Sequence, residues 1–398
     1  MAMDSIEVAP DPPPPAYLAI PFDTESVLPK RSLSVMELLQ YNFPNLSQVP
    51  HKDASIPVWL EAPPHDVNAT LLLSCVVPRW ETVKWLLLDV WQLVSTPRSF
   101  SRASVSSSEV LPNHLPVWVL SFWDRLSEAY NACLSWRSLG WVDTLRAQCP
   151  EDWRLATELG SLFCRVPWCG YLSGKRRDWC VGDIFDLLSN NELNSGQIDD
   201  LLELIERGLT NTPDNRYLIA STDLSTLLLY SHQNHAESTY RKQPTQWLVE
   251  EEFIQRRRLA VASIAWIPIG GRGHWISYVV DPITSTILHG DSLGHSLPVD
   301  LRDALQWWLC DLRERMGEPR KLPGFKLIST TSQEDGFSCG ILSTNSLHHH
   351  LLPCKFPLVL RDAASIKRYR IERTIEILKL SIESPVREFL NFLHVFSR

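Results

Sequence analysis

The sequence predicts an α+β protein, in which a small mixed sheet is flanked by helices and preceded by a tryptophan-rich helical region. From about residue 70 to residue 165, apolar residues recur at helical spacing and tryptophans are frequent. From residue 259 the pattern changes to short apolar runs bounded by turn residues, which indicates strands. Amphipathic helical patterns follow the strands.

The composition is that of a globular protein. The chain has 398 residues, enough for two domains, with 44% hydrophobic and 21% charged residues. The net charge of −8 argues against a general nucleic-acid binder, although a local basic face stays open. No apolar run is long enough for a membrane span, and no secretory signal pattern opens the chain. Nine unevenly spaced cysteines do not suggest a disulfide framework, so we expect an intracellular protein, nuclear or cytoplasmic.

The N-terminal half is predicted to contain two segments. Residues 1–30 are Pro-rich and acidic, which is typical of a disordered or extended leader. Residues 31–165 are predicted as the Trp-rich helical region, in which no catalytic pattern stands out. Its predicted helices are Ser34–Tyr41, Glu81–Leu93 and one or two within Val117–Gly140, with a loop at 101–109. Aromatic residues on helices usually form core, and we expect this of Trp85, Trp91, Trp118, Trp123, Trp136 and Trp141.

Residues 166–398 are predicted as the second domain, which contains the sheet. A helix begins at Ser195 with apolar residues along one face. The elements predicted after it are a short strand, the helix Thr222–Tyr230, the strands Leu259–Ile269, Trp275–Asp281, Thr286–Leu288 and Phe325–Ser329, and the helices Pro298–Met316, Cys339–Leu352, Ala363–Ile382 and Val386–Phe396.

A polar loop at residues 332–338 opens into a helix whose first turn carries Cys339. A helix N-terminus favours thiolate over thiol and so makes a cysteine a better nucleophile. Gly340 is predicted to keep the approach to the sulfur open, and Gln333 can offer its amide to a developing oxyanion. A lone cysteine is more often a small core residue, so a nucleophile also needs a base and an orienting carboxylate.

A histidine and an aspartate supply that pair. His274 stands where a turn meets a strand, and Asp291 stands at the end of the next strand. If the two strands form a hairpin, both side chains lie at the same end of it. The sequence therefore predicts a His–Asp pair that reaches the cysteine from the sheet.

These motifs follow one another as Gly273-His274-Trp275, Gly290-Asp291-Ser292-Leu293, and Gln333 six positions before Cys339-Gly340. In this order they resemble the ubiquitin-like-protease family, the SUMO-protease-like cysteine peptidases related to the adenovirus protease. The resemblance covers roughly residues 179–355. The sequence around Cys339 also resembles the divergent members of the family found in fungal genomes, some of which are linked to mobile elements.

The resemblance implies a papain-like or adenovirus-protease-like peptidase domain without a cofactor or metal. Its partner would be a ubiquitin-like modifier, such as SUMO, or its conjugates, cleaved after the C-terminal glycine. It implies that His274 is the general base, Asp291 its orienting carboxylate and Cys339 the nucleophile. Gln333 would be the oxyanion donor, and Trp275 would bind substrate as one wall of a narrow tunnel for a Gly-Gly terminus.

The same resemblance extends to one further segment and has two departures. Asp183–Leu202 resembles the first strand-turn-helix of the family. Glu192 stands where the family usually has a tryptophan, and Ser338 where it usually has an aspartate before the cysteine. Both departures bear on whether SUMO itself is the substrate.

Other hypotheses stay open beside this one. A decayed protease could still bind a ubiquitin-like partner, or serve a mobile element through its Trp-rich half. A protease fold of this kind can also transfer acyl groups. Gly290–Leu293 spells the block of GDSL-type serine esterases, with Ser292 as nucleophile, but no Asp-x-x-His pair follows it. The run His348–His350 is interpreted as a solvated helix face rather than a metal site.

Overall fold

A computed structural model describes residues 19–43, 58–59, 83–84, 87, 115–116, 118–139, 150–172, 179–210, 212, 215–233, 254, 257–269 and 271–383. The chain divides into two compact units, one of residues 1–147 and 160–170, the other of residues 148–159 and 171–398. The domain limits predicted at residues 30 and 165 stay predictions. The architecture is α+β, as the sequence predicts.

The first unit contains short elements and one long helix. They are helices α1 (Phe22–Glu25), α2 (Val35–Gln40) and α3 (Trp118–Ser138), and the parallel strand pair β1 (Val58–Trp59) and β2 (Leu115–Pro116). Helix α2 begins with a reciprocal cap, in which the Ser34 hydroxyl accepts the Glu37 N–H and the Glu37 carboxylate accepts the Ser34 N–H. The predicted helix at Ser34–Tyr41 is therefore confirmed.

Part of the predicted leader differs from the expectation. Residues 22–25 form α1 directly after Pro21, since proline is common at the start of a helix. The apolar side chain of Leu28 is buried. The single helix α3 confirms the pattern within Val117–Gly140 and buries the three tryptophans Trp118, Trp123 and Trp136. Outside the described residues lie most of Glu81–Leu93, the loop 101–109, the helix Val386–Phe396, and Trp85, Trp91 and Trp141.

The remaining elements lead to and include the main sheet. In chain order they are α4 (Pro150–Phe163), the antiparallel pair β3 (Tyr171–Leu172) and β4 (Trp179–Cys180), α5 (Val181–Leu188), α6 (Ser195–Thr210), β5 (Tyr217–Ile219), α7 (Asp223–Gln233), β6 (Ala260–Ile269), β7 (Arg272–Asp281), β8 (Thr286–Gly290), α8 (Val299–Arg315), β9 (Gly324–Leu327), α9 (Cys339–Leu351) and α10 (Ala363–Glu383).

The main sheet has five strands in the order β5-β6-β7-β8-β9. The outer pairs β5–β6 and β8–β9 are parallel, and the inner pairs β6–β7 and β7–β8 are antiparallel. Ser277 pairs with Gly290 at the last β7–β8 position. Asp291 therefore leaves the sheet beside the first half of β7, which contains His274.

Helices cover the sheet and bring the cysteine to it. Apolar side chains of β6, β7 and β8 pack with α7 and α8 in one core that includes Tyr278 and Trp308. Helix α9 packs along β7 and also contacts β6 and β8, while α10 contacts α5, α6 and α9. The α9 side chains reach the sheet through hydroxyls, since Ser343 donates to the Trp275 carbonyl at 2.7 Å.

Two local predictions need correction. The start of Asp183–Leu202, expected from the resemblance to be a strand, lies in the helix Val181–Leu188, because the buried residues Val181, Ile184, Leu187 and Leu188 recur at helical spacing. Strand β7 begins at Arg272, so His274 lies inside the strand, paired with Ile267. None of the helices among the described residues has the length and apolar character needed to cross a membrane.

Candidate active site

Cys339 is the first residue of α9 and is 3% exposed. The loop before it is fixed by the Asp335 carboxylate, which accepts the N–H groups of Phe337 at 2.9 Å and Ser338 at 2.7 Å. The Ser338 hydroxyl donates to the same carboxylate at 2.6 Å. Burial favours the protonated acid, but these hydrogen bonds outweigh it and hold the pKa of Asp335 below its usual value. The turn that presents the thiol is thus held by one ionised side chain.

The β7–β8 pairing brings His274 and Asp291 together, as the sequence predicts. Nε2 of His274 lies 2.7 Å from Oδ1 of Asp291, and both side chains are almost wholly buried. The same oxygen accepts the Leu293 N–H at 2.7 Å, so the carboxylate is held from its own turn. Because Nε2 is occupied, Nδ1 is the ring nitrogen that remains for Cys339, which helps to raise the pKa of His274.

His274 and Asp291 each favour the charged form of the other. Burial, the largest effect, favours neutral His274, but the hydrogen bonds and charges of Asp291 and Cys339 outweigh it and raise the pKa of His274 to about 9. Burial likewise favours the protonated acid at Asp291, yet the hydrogen bonds from His274 and Leu293 hold its pKa below the usual value. At neutral pH the pair is an imidazolium and a carboxylate.

Gln333 is held from both ends. Its Oε1 accepts the Ser292 hydroxyl at 3.0 Å, and its backbone N–H donates to the Ser292 carbonyl at 2.8 Å. Its Nε2 donates to the Asp335 carbonyl at 2.7 Å. The Asp335 carbonyl can only accept a hydrogen bond, so this contact fixes Nε2 as the donor end of the amide, directed at the loop that carries the cysteine.

Ser292 is therefore a partner of Gln333 in this structure. The side chain is 2% exposed and its proton is committed to Gln333, while His274 contacts Asp291 and Cys339 instead. A serine nucleophile requires a base within hydrogen-bond reach of its hydroxyl. The arrangement around Ser292 does not provide one, which argues against the GDSL-esterase hypothesis.

Trp275 and Gly340 pack beside the cysteine. Trp275 is buried, and its indole N–H donates to the Leu193 carbonyl at 2.7 Å. A Cβ on Gly340 would lie 2.9 Å from Ile198 Cδ1 and 3.2 Å from atoms of Leu193 and Trp275. The missing side chain of Gly340 thus permits α9 to approach α6 and β7. The expectation that Gly340 keeps the approach to the sulfur open stays a prediction beside this packing role.

The histidine run on α9 does not form a solvated face. His348 is fully buried, its Nδ1 lies 2.9 Å from the Tyr369 hydroxyl, and its ring stacks on Phe356 at 4.0 Å. Burial, followed by the nearby cations Arg373 and Lys355, lowers the pKa of His348 well below its usual value. The sequence predicts α10 as a helix, but its pattern does not show that α10 covers this end of α9. Among the described residues, no cluster of three or more His, Cys, Asp or Glu side chains could hold a metal ion.

Two residues of the site were not singled out from the sequence. Asp335 lies within the predicted loop 332–338, and an Asp three positions before a Ser at a helix start is a usable capping signal. Arg370, which donates to the Phe337 carbonyl at 3.4 Å, lies about thirty residues beyond Cys339 on α10. Its only sequence signal is a charged residue in a helix whose neighbours Tyr369 and Ile371 are apolar.

A cysteine at a helix start, together with a buried histidine whose ring pairs with a carboxylate, is the set of groups that a cysteine peptidase requires. Residues 191–379 match the Ulp1 protease family, C-terminal catalytic domain. This segment is a little under half of the chain, and it is similar to the catalytic domain of the ubiquitin-like-protease family. A search of the curated proteins finds no match.

The chain is also similar to solved structures of this family. The SUMO protease Ulp1 with its catalytic cysteine oxidised to a sulfenic acid is 17% identical, with 58% of this chain and 94% of that chain covered and a TM-score of 0.42. The C-terminal Ulp1 protease domain in complex with Smt3, the yeast ortholog of SUMO, is 18% identical, with 58% and 94% covered and a TM-score of 0.41. The Ulp1-like SUMO protease catalytic domain of Chaetomium thermophilum is 16% identical, with 62% and 88% covered and a TM-score of 0.39.

Proposed function

We propose that this protein is an active thiol peptidase or isopeptidase that cleaves after the C-terminal glycine of a ubiquitin-like modifier, SUMO-like in kind. The observation that carries the proposal is the connected group of Asp291, His274 and Cys339 at the first turn of α9. These side chains lie within the segment matched by the protease family. A chain that only bound a modifier would have no need of a buried imidazolium–carboxylate pair beside a cysteine at a helix start.

The first half of the proposed reaction forms a thioester. The Cys339 thiolate attacks the carbonyl carbon of the substrate's terminal glycine, and the carbonyl oxygen becomes an oxyanion. Nε2 of Gln333 donates to that oxygen, for which the amide must give up part of its contact with Asp335. The His274 imidazolium gives its proton to the leaving amine as the C–N bond breaks, and Asp291 stabilises the ring throughout.

The second half returns the enzyme to its starting state. His274, now neutral, takes a proton from a water molecule that attacks the thioester carbonyl. The C–S bond breaks, the modifier leaves with a free carboxylate, and the thiolate and imidazolium are restored. The cycle consumes one water and needs no metal or cofactor.

The proposed substrate class fits the surroundings of the cysteine. Trp275 is packed against Leu193 and Gly340, which suits the wall of a narrow passage that admits glycine but no larger side chain. Glu192 is exposed at the adjacent turn, where the family usually has a tryptophan. The proposal places the enzyme inside the cell, in the nucleus or cytoplasm, where such conjugates occur.

Hydrolysis of fluorogenic C-terminal amides of SUMO, NEDD8 and ubiquitin tests the function directly. We expect one modifier, SUMO-like, to be cleaved well above the others, and a matched substrate ending in Ala-Ala to be inert. Cleavage of none of them, with the folded wild-type protein, would contradict the proposal and favour the decayed, modifier-binding alternative. Release of acyl groups from a small thioester without modifier cleavage would favour acyl transfer.

Gln333→Ala is expected to lower kcat by roughly 10²–10³ with little change in KM, because the amide acts on the oxyanion of the transition state. Ser292→Ala is expected to give a smaller loss in the same parameter, since it frees the amide to rotate without removing the donor. Steady-state kinetics on the cleaved modifier amide measure both. Equal kcat in wild type and Gln333→Ala would remove Gln333 from the mechanism.

Asp291→Asn is expected to move the alkaline limb of the pH–activity profile to lower pH. The His274 proton is needed for the leaving amine and is lost as the pH rises through about 9. The Asp291 carboxylate raises that pKa, so its neutral replacement lowers it. The profile of kcat/KM from neutral to alkaline pH measures the shift, and an unmoved limb would contradict the assignment.

The same pKa of His274 has a consequence for stability. Because it is raised in the folded protein above the ordinary 6.5, protonation of His274 stabilises the fold fully below about 6.5. That contribution is lost as the pH rises through about 9, and it is absent in His274→Ala.

A further inference from the structure

Arg370 is a buried cation on α10 that joins three separate chain segments. The residue is 2% exposed. Its guanidinium donates to the carbonyls of Leu187 at 3.2 Å, Asn191 at 3.3 Å and Phe337 at 3.4 Å. The planar guanidinium has five N–H donors in a fixed fork, which suits it to carbonyls on several segments at once.

Each of these carbonyls leads to a part of the candidate active site. Leu187 is in the last turn of α5, where helix carbonyls lack partners within the helix. Asn191 is two residues before Leu193, whose carbonyl holds the Trp275 indole. Phe337 is two residues before Cys339. The guanidinium therefore fixes the segment behind Trp275 and the loop of the nucleophile against the same helix.

The charge of Arg370 is retained in this buried position. Burial is the largest influence and lowers the pKa of Arg370 to about 10, while the charges of Asp335 and Cys339 act in the opposite direction. The guanidinium is thus cationic at neutral pH, and the carboxylate that holds the loop and the cysteine both favour its charged form. Burying a cation is costly unless polar partners compensate, and here they belong to the site.

We propose that Arg370 is a positioning residue for the nucleophile, which holds the Phe337–Cys339 turn and the segment beside Trp275 in the geometry needed for attack. It acts through the carbonyl of Phe337 and through its charge beside the thiolate, without touching substrate. This inference rests on the proposed function, because it assigns the residue to the same reaction. The family match includes α10 only to residue 379, and Arg370 lies within it.

Arg370→Met tests the proposal, since it keeps an unbranched apolar chain and removes the donors and the charge. We expect kcat on the cleaved modifier amide to fall on the order of 10²-fold with KM nearly unchanged, as for a displaced reacting group. The rate of Cys339 alkylation by iodoacetamide at neutral pH is expected to fall as well. Arg370→Lys, which keeps the charge but loses the planar fork, is expected to recover most of the alkylation rate and part of kcat.

Arg373→Met is the matched control on the same helix. Arg373 is buried to a similar degree, but it pairs with Glu376 at 2.8 Å and lies over the rings of Tyr369 and Phe356. We expect it to lower Tm without changing kcat or the alkylation rate. A purely structural role of Arg370 would give the two methionine variants the same pattern.

Four outcomes test the positioning role of Arg370. Wild-type kcat and alkylation in Arg370→Met would overturn the proposal, as would losses in Arg373→Met as large as those in Arg370→Met. If Arg370→Met does not fold, Arg370→Lys carries the test, and wild-type kcat there would exclude a need for the forked geometry. Alkylation of Cys339 needs no modifier. If the wild-type protein cleaves no modifier but Arg370→Met still lowers the alkylation rate, the proposed function fails and the positioning role of Arg370 is retained.

Discussion

Cys339→Ala is expected to abolish turnover and leave the protein folded. Turnover requires the sulfur, because the alanine side chain cannot form a thioester. The side chain is buried, so the loss of one sulfur atom is expected to lower the free energy of unfolding by about 1 kcal/mol. Hydrolysis of the modifier amide measures the first effect, and thermal unfolding followed by circular dichroism measures the second.

Cys310→Ala is the matched control for this change. Cys310 is also a buried cysteine, on α8, where its Sγ lies 3.7 Å from the Lys321 carbonyl. It should show a similar decrease in stability with unchanged turnover. Residual activity of Cys339→Ala near that of the wild type would refute the nucleophile assignment, whatever the behaviour of the control.

His274→Ala is expected to be nearly as severe, with kcat reduced on the order of 10⁴-fold. The change removes the proton donor for the leaving amine and the hydrogen bond with Cys339 together. Because the two residues act as a unit, the double variant with Cys339→Ala should be no slower than Cys339→Ala alone. Single-turnover kinetics on the same modifier amide measure all three variants.

His232→Ala controls for the loss of a histidine as such. His232 lies in the last turn of α7, with its ring 6.0 Å from that of Trp307, and has no part in the site. Its kcat should equal that of the wild type. A His274→Ala variant that retained most of its kcat would show that another group moves the proton.

The sequence was informative where one local pattern decides the structure. The turn between two apolar runs predicts the β6–β7 hairpin, and the next short run predicts β8, which together place His274 beside Asp291. The small and apolar residues after Cys339 predict α9 and the position of the thiol at its start. The order of these motifs was enough to suggest the family without any knowledge of packing.

Packing between distant segments could not be predicted in this way. The resemblance of Asp183–Leu202 to a strand-turn-helix predicts a strand at its start, whereas Val181–Leu188 is a helix with buried apolar residues at helical spacing. The burial of His348 and the role of Arg370 both depend on α10, which the pattern identifies as a helix without saying what it covers. The packing role of Gly340 likewise depends on the contact with Ile198, which the sequence does not show.

The departure at Ser338 has a physical account in the structure. The family usually has an aspartate before the cysteine, and here the carboxylate comes from Asp335, three residues earlier. Asp335 accepts hydrogen bonds from the Ser338 N–H and hydroxyl, so an ionised side chain still secures this turn. The change at this position is therefore compatible with an intact site.

Covalent trapping tests the central claim most directly. SUMO, NEDD8 and ubiquitin, each with a C-terminal electrophile in place of the glycine carboxylate, are incubated with the wild-type protein and with Cys339→Ala, and adducts are located by peptide mass spectrometry. We predict an adduct with a SUMO-like probe, attached at Cys339 and absent from Cys339→Ala. An adduct that persists in that variant, or no adduct with any probe while Cys339 resists selective alkylation, would contradict the account.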